Sequence, residues 1–128
     1  MTTWTLSEVE AAVRASWSRE TCDDADLADW SERNPSRGQC GVTALVLQDL
    51  LGGDLLLAEV HRPDGSRQGY HWWNRFAGLE VDLTAEQFAA TEQVQPPEVV
   101  VRPPGPVRRS ARQYATLGST VRARLDAG

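Results

Sequence analysis

Three side chains of this sequence are of the kinds that together make a nucleophile, a base and an orienting acid: Cys40, His71 and Asp82. Cys40 follows Gly38-Gln39 and opens a run in which Val42, Leu45, Val46 and Leu50 recur at helical spacing. Gly52-Gly53 lies just past that run, so the pattern predicts a helix over about 40–51. A thiol at the head of a helix meets unpaired backbone N–H groups and the positive end of the helix dipole, the surroundings in which cysteine becomes a nucleophile. The same N–H groups can hold an oxyanion. Cysteine is also a small apolar residue that cores commonly absorb, so position alone leaves Cys40 undecided.

His71 and Asp82 sharpen the reading. His71 stands in an aromatic run, Tyr70-His71-Trp72-Trp73, that predicts a strand over 69–74. Asp82 stands in an alternating run that predicts the next strand over 79–83. If residues 75–78 form a four-residue loop, Asn74 opposes Leu79 and His71 opposes Asp82. Both side chains then share a face, with Cβ atoms roughly 4.5–5.5 Å apart. In that register Tyr70, Trp72, Leu79, Val81 and Leu83 take the opposite, core-facing side. Asp82 would fix the imidazole tautomer, and His71 would accept the thiol proton and return it to a leaving amine.

Gly38-Gln39-Cys40, His71-Trp72-Trp73-Asn74 and Asp82-Leu83-Thr84 together resemble the transglutaminase-like core of the papain-like thiol enzymes. More narrowly, the stretch from Trp17 to Phe88 resembles the small bacterial YunG-like family, through Gly-Gln-Cys-x-Val-Thr-Ala, the Gly-Gly after the helix, His-x-Trp-Asn and Asp-Leu-Thr-x-x-Gln-Phe. The resemblance implies a papain-like α+β fold with Cys40, His71 and Asp82 at the catalytic positions, and an oxyanion or substrate site drawing on Gln39, Trp17 and Trp73. Trp30 is a second candidate for the indole that transglutaminases use at the oxyanion. The sequence departs from transglutaminases at Gly41, where they carry tryptophan, and in the short spacing between the three residues.

The elements that must position these groups read as one α+β domain over 1–128, with N-terminal helices on a small antiparallel sheet and a C-terminal helix. Ser7 and Glu10 offer a capping box for a first helix that carries Leu6, Val9, Val13 and Trp17 on one stripe. Residues 18–38 read as irregular, with one short helix near 25–30. A strand is predicted over 55–60. Thr84 and Gln87 offer a second capping box for a short helix to about Ala90. The prolines of 95–106 predict an extended connector. A closing helix follows over about 108–126, weakened at Gly118. The core motifs lie within 17–90.

With 41% hydrophobic and 24% charged residues in 128, the composition is that of a folded globular chain. A net charge of −5 argues against general nucleic-acid binding, and no apolar run is long enough to span a bilayer. Two cysteines are too few for a disulfide framework, and without a secretion-type N-terminus the expected compartment is the cytoplasm. Six acids and no base lie between Glu20 and Glu32, and six arginines and no acid between Arg102 and Arg124. These segments can meet each other, meet a partner, or stay solvated. Cys22, among those acids, is expected to have a raised pKa and to make a poor nucleophile. Asn74 points away from His71 and reads as a strand-end residue. Cys22, Cys40, His61 and His71 lack paired metal-ligand spacing, so no metal and no cofactor are expected. The expected activity is thiol-dependent acyl transfer on a protein or peptide amide, with hydrolysis ahead of transamidation. The alternative is an inactive domain that binds peptides through an aromatic groove at Trp72 and Trp73. Oligomeric state is left open.

Overall fold

A computed structural model describes residues 4–127. Helix α1 (Leu6–Ser16) begins one residue after Thr5, whose hydroxyl accepts from the Glu8 N–H at 3.1 Å while Glu8 reaches back to the Thr5 N–H. The cap is therefore Thr5-x-x-Glu8, not the Ser7–Glu10 box expected from the sequence. Glu10 instead holds Arg14 one turn on at 3.2 Å. Val9, Ala12 and Val13 line the buried face, Leu6 is exposed, and Trp17 is buried although the chain there has left the helix.

Two 3-10 turns, Arg19–Thr21 and Asp24–Asp29, lead through a loop to α2 (Cys40–Leu51), whose bounds match the expectation. Helix α3 (Ala111–Ala127) runs unbroken through Gly118. A Cβ at Gly118 would stand 3.8 Å from Val46 Cγ2, an ordinary contact, so α3 faces α2 there without needing glycine. Val9 and Val13 of α1, Val46 and Leu47 of α2, and Leu117 and Val121 of α3 form the main core together with Leu83. Each such side chain contributes about 1.5–3 kcal/mol on burial.

The sheet is antiparallel, in the order β3 (Leu79–Val81), β2 (Arg67–Phe76), β1 (Asp54–His61). Two short strands, β4 (Gln93–Val94) and β5 (Glu98–Val100), share the far edge of β1. The segment expected to be only an extended connector thus contributes a strand, with Pro96-Pro97 separating it from β4; proline is tolerated at a sheet edge. The predicted short helix after Thr84 is a single 3-10 turn, Ala85–Gln87, and Thr84 makes no capping bond.

The β2–β3 hairpin also differs from expectation. Ala77 and Gly78 both have positive φ, 49° and 83°, the conformation of a two-residue type I′ turn. The turn is thus two residues rather than four, and Asn74 opposes Val81 instead of Leu79. Nor does one apolar face win: Tyr70 and Leu79 are exposed, whereas His71, Trp73 and Asn74 are buried. Both faces of β2 are covered. Trp73 clusters with Leu56 and Ala58, and on the other face Asn74 donates to the Ala44 carbonyl of α2 at 2.9 Å. That bond makes Asn74 a strut between sheet and helix, not a strand-end residue.

The acidic and basic segments do touch, at Arg109–Asp23 (3.5 Å) and Arg112–Asp24 (3.8 Å). Both arginines are largely exposed, and such contacts contribute little to stability. Among the described residues no helix is long and apolar enough to cross a membrane, and no group of three or more His, Cys, Asp and Glu could hold a metal ion.

Candidate active site

Cys40 takes the first position of α2 because Gly38 and Gln39 make the turn into it. Gly38 has φ +72°, and a Cβ there would fall 2.6 Å from Cys22 Sγ and 2.8 Å from Asp26 Cβ, so only glycine fits. The Gly38 N–H donates to Gln87 Oε1 at 3.1 Å, and Gln87 Nε2 donates to the Thr84 carbonyl at 3.1 Å. The Gln87 carbonyl in turn accepts from Asn34 and Arg37. One buried amide thus ties the approach to Cys40 to the segment that follows Asp82.

Gln39 is fully buried. Its Oε1 accepts from the Thr21 hydroxyl at 2.7 Å, and its Nε2 donates to the Ser18 carbonyl at 3.0 Å. The indole N–H of Trp17 donates to Thr43 Oγ1 at 2.9 Å, and that of Trp73 to Glu80 Oε1 at 2.7 Å. Trp30 donates to the Pro35 carbonyl. The side chains singled out as oxyanion donors are therefore engaged in holding the fold, and Trp17 and Trp73 are both buried. The available donors are backbone. The α2 ladder starts with Thr43 N–H to the Gln39 carbonyl at 3.0 Å, and Gln39 supplies no side-chain cap. Among the described residues the N–H groups of Cys40, Gly41 and Val42 have no acceptor.

His71 is 1% exposed and hydrogen-bonds through Nε2 to Asp82 Oδ2 at 2.7 Å. Asp82 is partly exposed, and its other oxygen lies 3.5 Å from the Thr84 hydroxyl. Trp73 stacks on the imidazole at 5.1 Å between centroids, and Phe88 meets it edge-on at 4.7 Å. These contacts fix the ring plane. Nδ1 is buried and has no hydrogen-bond partner among the described residues. Burial disfavours the charged imidazole, but hydrogen bonding to Asp82 and the nearness of Cys40, with the negative charge of both, outweigh it and push His71 up to about 9.

Cys40 is partly exposed, whereas Cys22 is wholly buried. Burial, then the charges of Asp26 and Asp23, push the Cys22 thiol up to about 12, and its Sγ points at the Asp23 and Arg37 carbonyls. Cys22 is therefore a structural thiol. His61 bonds Glu59 at 2.8 Å on the surface, apart from this site. A groove of about 510 Å³ adjoins it at Phe88, lined also by Asn34, Arg37, Gln68 and Glu92. Cys40, His71 and Asp82 do not line that groove.

Gln87 and Phe88 were not predicted as site residues. Their signal is the Gln-Phe that closes Asp-Leu-Thr-x-x-Gln-Phe, where the Thr84–Gln87 spacing predicts a helix start.

A sequence model of the YunG protein family matches residues 5–126. The chain is 37% identical over 90 residues to the uncharacterized protein YunG of Bacillus subtilis (strain 168), an alignment that covers 70% of this chain and 69% of that one. No solved structure matches the chain. With the match running through every element from α1 to α3, the chain belongs to the YunG family.

Proposed function

We propose that this YunG-family domain is a cysteine-dependent acyl-transfer enzyme of the transglutaminase-like, papain-like kind, built on Cys40, His71 and Asp82. The supporting observation is the state of His71. One ring nitrogen is held by Asp82 at 2.7 Å, while the other is buried and bonded to no structural group, in a ring whose basicity is raised by Cys40 through hydrogen bonding and charge. A structural histidine satisfies both nitrogens; a base keeps one for its substrate.

In this reading the Cys40 sulfur attacks the carbonyl carbon of an amide in a protein or peptide. The C–S bond forms, and the carbonyl π pair moves to oxygen, which the open N–H groups at the head of α2 receive. Collapse expels the nitrogen, which takes the proton held by His71, and leaves a thioester. Water then attacks the thioester, giving its proton to His71, and the acid departs as sulfur regains its electron pair. An amine in place of water would give transamidation. The short spacing of the three residues leaves the site without long enclosing loops, which favours water as acceptor and a protein or peptide as substrate. A reducing, cytoplasmic compartment suits a reaction that needs a free thiol.

Iodoacetamide labelling tests the reading. Native protein should present one reactive thiol, Cys40, alkylated at pH 7 at least about tenfold faster than a free thiol. His71→Ala should remove that advantage, and Cys22→Ala should leave it intact. Slow labelling that is indifferent to His71 would overturn the enzyme and leave a binding module.

A further inference from the structure

Strand β5 hydrogen-bonds to β1 on one side, with Val100 opposite Leu55, Val99 opposite Leu56 and Glu98 opposite Leu57. Among the described residues no strand covers its other side. Such an edge is a template for a further strand unless the sequence blocks it. Here the edge is apolar: Val99 is 52% exposed and Val101 87% exposed. Val101 lies one residue past the strand, and with the backbone extended through it the two share a face.

The segment is also self-complementary. It reads Glu98-Val99-Val100-Val101-Arg102, bracketed by Pro97 and Pro103. Run antiparallel to a copy of itself about Val100, it sets Glu98 opposite Arg102, Val99 opposite Val101, and Val100 opposite Val100. The prolines pin that register. A slip of two residues in either direction brings a proline, which has no N–H, into the paired stretch and separates the opposite charges. Arg102 is already oriented by Asp49 at 2.7 Å and the Tyr114 hydroxyl at 3.2 Å, and its Nε has no partner among the described residues. A carboxylate arriving beside it meets a guanidinium that is already held in place.

We propose that two copies of this chain pair along β5 about a two-fold axis at Val100, joining their sheets edge to edge. The occupant is a second copy because the charges and the apolar stripe answer each other. The contact is isologous and closes on itself, so it gives a dimer and not a fibre. Five residues a side bury far less than the roughly 1,600 Å² of a standard stable interface, so the association is weak and depends on concentration.

Sedimentation equilibrium on the full chain should show the mean mass rising from one chain towards two as concentration increases. Glu98→Arg places like charges opposite each other twice and should raise the dissociation constant at least about tenfold; Val101→Lys should do the same. Circular dichroism on both variants checks that the exposed substitutions leave the fold intact. Register is read by cysteine trapping in a Cys40→Ser background. Val100→Cys should form an inter-chain disulfide under mild oxidation, whereas Val94→Cys, at a more exposed position on β4, should not. A chain that stays monomeric up to millimolar concentration overturns the proposal. So does a dimer that is indifferent to both charge substitutions and untrapped at Val100.

Discussion

His71 Nε2 donates to Asp82 Oδ2 across a ladder in which Asp82 stands diagonal to it: one step on from the Asn74–Val81 pair, the residue opposite Asp82 is Trp73. Diagonal neighbours on one face lie about 7–8 Å apart at Cα, within reach of an imidazole and a carboxylate. Trp73 fills the directly opposed position, stacks on the ring and fixes its plane. Asp82 keeps the Nε2 proton in place, so the proton that His71 gives and takes is the one on Nδ1. Asp82→Asn keeps a group that can bond Nε2 but removes the negative charge that supports the protonated ring. The alkylation rate of Cys40 at pH 7 should then fall by about tenfold or more, with circular dichroism unchanged.

The same pair predicts a pH dependence of stability. The folded chain holds the His71 proton up to about pH 9, against an ordinary value of 6.5. A pKa raised by folding contributes stability that is fully present below about 6.5 and lost as pH rises through about 9. The size is on the order of 3 kcal/mol for a ring this buried. Urea midpoints taken between pH 6 and 9 should fall across that window in the wild type and fall less in Asp82→Asn, where only Cys40 still raises the ring. Cys22, pushed up to about 12, adds a further loss only above about pH 9, where the unfolded chain begins to ionise. A wild-type midpoint that holds steady from 6 to 9 would refute the assignment.

Gln87 is a positioning residue for Cys40, acting through the Gly38 N–H that it accepts at 3.1 Å. Gln87→Ala leaves that N–H buried without an acceptor, a cost of about 1–3 kcal/mol. A purely structural loss would lower only the urea midpoint. A positioning role also slows Cys40 alkylation at low urea, where the chain is still folded. The alkylation rate of the folded variant separates the two.

Much of the site was legible because it is local. The Gly38-Gln39-Cys40 turn, the apolar spacing of α2 and Gly52-Gly53 all act within a few residues of one another. The shared face of His71 and Asp82 rests on parity, and shortening the loop from four residues to two moves the register by two and leaves parity intact. Long-range choices were not legible. Thr5-x-x-Glu8 and Ser7-x-x-Glu10 have the same form, and the first is the one with Trp4 just ahead of it packed against the core that holds Val9 and Val13. Gln39, Trp17 and Trp73 look like free donors until the chain folds Thr21, Thr43 and Glu80 against them. Strand β5 was hidden by its flanking prolines, which read as a connector although the residues between them have every N–H that an edge strand needs.

The turn that sets the register carries an identifiable cost. Ala77 sits at φ +49°, where its Cβ crowds the following carbonyl, a penalty of roughly 1–2 kcal/mol. Asparagine tolerates this conformation, and Asn-Gly is a preferred pair for a type I′ turn. Glycine would also relieve the strain but would give back about 0.5–1 kcal/mol through its freedom in the unfolded chain. Ala77→Asn should therefore stabilise the fold by about 0.5–1 kcal/mol, raising the melting temperature by about 2–6 °C, and Ala77→Gly should change it less. Because the two-residue turn is what places Asp82 diagonal to His71, Ala77→Asn should leave Cys40 alkylation unchanged, whereas inserting one residue between Ala77 and Gly78 should abolish it. A one-residue shift turns Asp82 to the other face of the hairpin and takes the carboxylate away from the imidazole.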